Sequence, residues 1–251
     1  MNPVEDPVVR NVRLALHHGG PQSSAELAAR TGASVSTVQR ALRSLDVLTM
    51  GRARATRHAL RREIRGVDPP VALYEVTTAP RRLGDLHPAH PYGFGFVASV
   101  AWERSRWFDD LPWFLHDLRP SGYLGRQVPL RHPELDVPRD VLVWSGDDVL
   151  RWATDARHDG IGAFVLGEAS LARLAAEAVH PPASLCRDDR LEAYATLAEA
   201  ALQLGPVGSS AAGEQPKLLA RVEGRSVIVK ISPPRTGGEL AVRVADLLVA
   251  E

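Results

Sequence analysis

Cysteine is almost absent from this sequence: Cys186 is the only one among 251 residues. A lone thiol excludes a disulfide framework and a thiolate-rich zinc site. Cys186 is expected to be a small buried or half-buried residue without a partner. No apolar run approaches the roughly 18 residues of a membrane span. Met1 to Arg13 carry acids and two prolines, not a basic start followed by an apolar stretch. No secretory leader is therefore expected, and a soluble cytoplasmic chain with no membrane partner is. Net charge is also missing, with 30 Lys+Arg against 30 Asp+Glu. Lysine itself is scarce: Lys217 and Lys230 are the only two, 13 residues apart in one glycine-bearing segment. In a chain that uses arginine for nearly all its positive charge, two retained lysines so close together are a functional pointer. What is present is ordinary globular composition, 45% hydrophobic and 24% charged. At about 100–200 residues per domain, the length predicts two or three domains.

Residues 1–68 are predicted to form a DNA-binding unit. Val8, Val9, Val12, Leu14, Ala15 and Leu16 predict a first helix ending at Gly19 and Gly20. Ser23 stands three residues before Glu26, the spacing of a capping box, and predicts a short second helix that stops at Thr31 and Gly32. A third helix begins at Ser34, with Val35, Val38, Leu42 and Leu45 on one face and Ser36, Thr37, Gln39, Arg40 and Arg43 on the other. Two helices joined by a short glycine turn are the helix-turn-helix pattern. Val47–Met50 and Thr56–Leu60 then predict a hairpin around a basic turn, Gly51 to Ala55. From Gly51 to Gly66 six arginines face one glutamate, a local charge of +5 in a neutral chain. Arg52, Arg54 and Arg57 suit phosphate contact or minor-groove entry, and Gln39, Arg40 and Arg43 suit base edges or phosphates. The stretch around "SSAELAARTGASVSTVQRAL" resembles winged helix-turn-helix regulators. A packing or dimerisation domain of three helices is the competing expectation.

The middle of the chain predicts a scaffold. Val71–Val76 and Tyr92–Val97 read as strands, the second alternating aromatics with glycine as close packing requires. Trp107, Phe108, Trp113 and Phe114 are expected in the core. Ser145 is expected to cap a helix beginning at Asp147 and Asp148, Gly160–Leu166 to give a strand, and Ala169–Ala178 and Leu191–Leu204 to be helices. His87 and His90 have a metal-like spacing but no supporting acid or thiol, and Pro88 between them prevents a helical presentation, so no metal site is expected. Arg157-His158-Asp159 echoes a kinase catalytic loop, but no asparagine follows at the required place.

Near the C-terminus, Gly205 to Ile231 parses as a small-residue loop, a strand at Leu218–Val222, a turn at Glu223-Gly224 and a strand at Ser226–Ile231. Backbone amides between Gly208 and Gly213 are free of steric obstruction and suit phosphate oxygens, and Lys230 would project toward the same phosphates. The run Ser210-Ala211-Ala212-Gly213-Glu214-Gln215-Pro216-Lys217, continued by "VIVKI" and by Glu239, resembles the HipA-like serine/threonine kinases, toxins of bacterial toxin–antitoxin systems. "WFLHDLRPSGYLGR" and "RHDGIGAFVLGE" resemble the N-terminal subdomain of that family more weakly. With the helix-turn-helix in front, the chain resembles the YjjJ-type subgroup.

That resemblance implies an α+β chain: a winged helix-turn-helix over 1–68, a mixed α/β HipA-type N-terminal subdomain over 69–204, and the start of a kinase-like N-lobe over 205–251. It implies ATP with Mg2+ as the complete protein's cofactor, and Ser210, Ala211, Ala212, Gly213, Glu214, Gln215, Lys217, Lys230 and Glu239 as the ATP-binding residues. Ser210, with Ser209 as a second acceptor, is implied as the autophosphorylation site that silences the kinase. Implied partners are double-stranded DNA through 1–68, the remaining kinase lobe, an antitoxin, and a protein substrate such as an aminoacyl-tRNA synthetase. The aspartate and asparagine that orient the acceptor and bind magnesium are expected beyond Glu251, as are partners for the apolar side of Leu240, Val244, Leu247 and Leu248, so no catalytic residue is assigned within these 251. Two classes stay open: the N-terminal part of a kinase toxin, and a winged-helix regulator with a vestigial kinase-like segment.

Overall fold

The computed structural model describes residues 5–155, 162–203 and 217–231. The chain divides into two compact units, Met1–Leu118 with Ser145–Ala172, and Arg119–Trp144 with Arg173–Glu251. Helices and antiparallel strands are mixed throughout, an α+β composition.

The first unit opens with three short helices, each started by a side-chain cap. Helix α1 spans Pro7–Gly19; Asp6 accepts from the Val8 N–H at 2.8 Å, and Pro7 occupies the first turn, where its missing N–H goes unneeded. Helix α2 spans Ser24–Thr31 and carries the expected capping box: Glu26 N–H donates to Ser23 Oγ at 3.2 Å and Ser23 N–H donates to Glu26 at 2.7 Å. It stops at Gly32, whose φ of +68° is left-handed. Helix α3 spans Val35–Leu42 behind Ser34, which accepts from the Thr37 N–H. Val12, Ala15, Leu16, Leu27, Val38, Ala41 and Leu42 bury the facing stripes of all three.

Strands β1 (Val47–Met50) and β2 (Arg57–Leu60) follow as an antiparallel hairpin in which Thr49 pairs with His58. The expected basic turn holds a single 3-10 turn, Ala53–Ala55. Gln22 exchanges both backbone hydrogen bonds with His58, at 2.9 and 2.7 Å, which lays the link between α1 and α2 along the hairpin.

Behind the hairpin stands a five-stranded antiparallel sheet made of β3 (Val71–Val76), β4 (Pro80–Pro88), β5 (Phe94–Ala98), β6 (Arg106–Phe108) and β7 (Phe164–Leu166), in the order β6-β5-β4-β3-β7. Gly95 of β5 is where the hairpin meets it: a Cβ there would stand 2.5 Å from Leu48 Cδ2 and 3.0 Å from Met50 Cε. The docking is also polar. Arg62 forks onto both carboxylate oxygens of Asp147, at 2.8 Å through one arm, and donates to the Ala89 carbonyl at 3.3 Å. Asp147 lies in α5 (Gly146–Thr154), whose capping box joins Ser145 to Asp148. The aromatic cluster forms around Phe114, which is buried and makes edge contacts to Phe96, Trp102, Phe108 and Trp113. Trp113 departs from the core expectation: it is 58% exposed, because the 3-10 turn Trp113–Leu118 turns Phe114 and Leu115 inward.

In the second unit, α4 spans Gly122–Arg131 and α7 spans Arg190–Gln203, while α6 (Glu168–Val179) runs across the division of the chain. Strands β8 (Lys217–Val222) and β9 (Arg225–Lys230) make an antiparallel hairpin whose turn residues Glu223 and Gly224 both have positive φ, +49° and +80°. Tyr194 and Ala198 of α7 pack with Leu218, Val227, Val229 and Ile231 against one face of it. Cys186 is exposed, not buried: it stands beside Leu185, whose backbone pairs with the hairpin edge, in a stretch of exposed residues.

Candidate functional site

Two hairpins carry the residues that the sequence singles out. On the first, the exposed side of α3 presents Ser36, Gln39, Arg40 and Arg43, with Thr37 half-buried because it closes the Ser34 cap. Arg52 and Arg54 are exposed on the hairpin tip. Arg57 differs from them. It is half-buried and pairs with Glu26 at 3.3 Å, so its guanidinium already has a carboxylate. Arg61 likewise pairs with Asp46 at 3.2 Å.

Between α2, α3 and the hairpin runs a groove of roughly 1000 Å³, lined among others by Ser24, Gln39, Arg43, Thr49, Arg54 and His58; none of its lining residues is acidic. His58 was not singled out by sequence. Its Nε2 lies 3.1 Å from Ser24 Oγ and its Nδ1 2.8 Å from Thr49 Oγ1, and burial pushes its pKa down. Hairpin register alone would have placed it opposite Thr49, but the approach of Ser24 depends on how α2 docks. A second cavity, about 760 Å³ beside the 61–70 segment, is lined by Arg61 and Arg62 but also by Asp46 and Asp68.

On the other hairpin, Lys217 and Lys230 are direct cross-strand partners. Both are half-buried, and among the described residues neither has an acidic partner. Strand alternation puts them on the face opposite Leu218 and Val229, alongside Leu219, which is 45% exposed, and Ile228. Like charges placed directly opposite destabilise a hairpin modestly. Ser209, Ser210, Ala211, Ala212, Gly213, Glu214, Gln215 and Glu239 lie outside the described residues, as do Arg157-His158-Asp159 and Leu240, Val244, Leu247 and Leu248.

His87 and His90 do not converge. His87 is buried in β4, and His90 stacks on His17 with ring centroids 4.2 Å apart. Among the described residues, no group of three His, Cys, Asp or Glu is placed to hold a metal, and no helix is long and apolar enough to cross a membrane.

Comparison with known proteins places this architecture beside one class. Residues 67–175 match the family model described as YjjJ-like toxin, middle domain. The match covers the five-stranded sheet and α5. The chain is also similar to Toxin YjjJ of Escherichia coli (strain K12), with 36% identity over 239 residues, 92% of this chain and 53% of that protein. It thus spans about half the length of the curated relative it matches. Both similarities are to YjjJ-like toxins. No solved structure matches.

Proposed function

We propose that this chain belongs to a HipA-like serine/threonine kinase toxin of a toxin–antitoxin system, acting in the cytoplasm, and that residues 1–68 are a winged helix-turn-helix that binds double-stranded DNA. The observation that carries the DNA reading is the acid-free groove flanked by Gln39, Arg43 and Arg54, with Arg52 exposed on the tip beside it. In this reading α3 enters the major groove with Gln39, Arg40 and Arg43 toward base edges, Ser36 and Thr37 contact the backbone, and Arg52 and Arg54 follow the flanking phosphates or minor groove. Arg57 braces the tip through Glu26. The test is a gel shift of the 251-residue chain on duplex DNA across a salt series. Counterion release makes affinity fall steeply with salt, and replacing Arg52 and Arg54 by alanine lowers the log–log slope by about two. Binding that ignores salt, or a slope untouched by the double substitution, overturns the reading.

The kinase part is supported by the Lys217–Lys230 pair. Two ammonium groups side by side on an apolar-flanked strand face suit a triphosphate, with Leu219 and Ile228 offering a surface for a base. The loop Ser210 to Gln215, with Ser209 and Ser210 as phosphate acceptors and Glu239 as helix partner, completes the proposed nucleotide site. ATP would be the phosphate donor. The described residues offer no ligand set for its magnesium, so no step is derived through the metal. An aminoacyl-tRNA synthetase remains the proposed class of protein substrate, and an antitoxin a proposed partner. The alternative, a winged-helix regulator with a vestigial kinase-like segment, is favoured by the firm docking of the 1–68 segment on the sheet through Arg62 and Gly95. ATP binding that depends on Lys230 decides for the kinase; DNA binding without any nucleotide binding decides for the regulator.

A further inference from the structure

The groove beside α3 contains a device that the phosphate-contacting arginines do not explain. His58 has both ring nitrogens against hydroxyls, Ser24 Oγ at 3.1 Å and Thr49 Oγ1 at 2.8 Å, and all three residues line the groove. A neutral imidazole has one N–H and one bare nitrogen. One hydroxyl therefore accepts from the ring, and the other must turn its own proton onto the bare nitrogen. A doubly protonated ring donates from both nitrogens. Both hydroxyls then accept, and the one O–H that had been turned onto the ring is freed toward whatever fills the groove.

We infer that the groove takes a backbone phosphate of duplex DNA against Ser24, Thr49 and His58, and that seating the phosphate brings a solvent proton onto His58. The inference rests on the DNA reading above and adds a contact and a regulation to it. The stoichiometry is one proton from water to the bare ring nitrogen, with no bond to DNA made or broken. The charge gained faces an anion, and the hydroxyl proton displaced from the ring is the donor that the phosphate oxygen accepts.

The surroundings fit. The groups packed on His58 are Ser24 from α2, Thr49 from β1 and the backbone of Gln22. The charged residues lining the same groove are Arg43 from α3 and Arg54 from the hairpin tip, both positive. Glu26 of α2 is held by Ser23 and Arg57. Without an anion, burial opposes the charged form of His58 and pushes its pKa down, and the arginines add no incentive to charge it. A phosphate reverses that balance. By linkage, if phosphate favours the protonated ring, protonation favours phosphate by the same factor.

The test uses the 251-residue chain and a fluorescent random-sequence duplex at fixed low salt, with anisotropy read between about pH 7.5 and about pH 6. Affinity is expected to rise on acidification, by up to about tenfold per pH unit where one proton is taken up. His58→Gln, which keeps a polar amide between the two hydroxyls but cannot take up the proton, is expected to lose the rise. Ser24→Ala with Thr49→Val leaves the imidazole without the hydroxyls and is expected to flatten the profile as well. This second variant decides the matter if His58→Gln lowers the thermal midpoint into the assay range. A full pH rise retained in the folded variants overturns the His58 assignment while leaving DNA binding intact. No salt-sensitive duplex binding at either pH overturns the DNA reading, and this inference with it.

Discussion

The two hairpins, β1–β2 and β8–β9, share a topology and differ in how they treat positive charge. On the first, the arginines nearest the body of the protein have carboxylate partners: Arg57 with Glu26, Arg61 with Asp46, Arg62 with Asp147. Arg52 and Arg54 at the tip are exposed. On the second, the strands are bare of acids at the open end, where Lys217 faces Lys230. A guanidinium that forks onto a carboxylate is a structural bolt, and Arg62, just past the first hairpin, is bolted to α5 by one. Two ammonium groups in register contribute nothing to an empty hairpin and repel each other. The difference separates charge that holds the fold from charge that, in the proposed kinase reading, serves a nucleotide.

That contrast can be broken at several places. The largest expected effect is from Gly95→Val, which drives side-chain atoms into Leu48, Met50 and Trp107, whose Cζ3 would stand 2.8 Å from the first added carbon. Overpacking there should lower stability by about 3 kcal/mol, read by chemical denaturation, and detach the first hairpin from the sheet. Arg62→Ala should follow at about 2 kcal/mol. The pair is only partly buried, so the loss lies between that of a surface bridge and that of a fully buried one. Acidification should act on the same unit. Burial pushes the pKa of His58, His87 and His90 down, helped at His87 by Arg61 and at His90 by His17 and Arg62. Below the ordinary histidine value of about 6.5 the unfolded chain takes up protons that these folded rings resist. Stability should therefore fall as pH drops from about 6.5 toward the folded values, as a declining thermal midpoint that His87→Asn makes shallower. Smallest and opposite in sign, Lys217→Thr should raise the stability of the ligand-free protein by about 0.5 kcal/mol, because it removes a like-charge cross-strand pair. No arginine-to-threonine change at Arg57, Arg61 or Arg62 should do the same.

Much of this arrangement is legible in the sequence where interactions are local. Ser23 with Glu26, Ser34 with Thr37, Gly32 and Ser145 announce helix boundaries through contacts of three or four residues, and the structure forms each of them. The Glu223-Gly224 turn is similarly written into its own residues. The sheet is less so. Strand β4 begins and ends in proline and carries Arg81 and Arg82, so its own residues argue against a central strand. Pairing with β3 and β5 decides it. Gly84 reveals its purpose only there, since a Cβ would meet the Val97 carbonyl oxygen at 2.5 Å. Helix α4 holds Pro129 in its last turn, which hides it from a pattern read by breakers. At the site, the exposed residues of α3 follow from periodicity, whereas His58 becomes conspicuous only when Ser24 and Thr49 close on it from two other elements.

The claim that the second hairpin keeps its lysines for a nucleotide is tested most directly by thermal unfolding of the 251-residue chain with and without ATP and magnesium, beside Lys217→Ala and Lys230→Ala. Ligand that binds only the folded state raises its midpoint. The expected result is a rise for the parent chain that either substitution removes, with both variants at least as stable as the parent when no nucleotide is present. A midpoint indifferent to ATP, or a rise that survives the loss of either lysine, would contradict it.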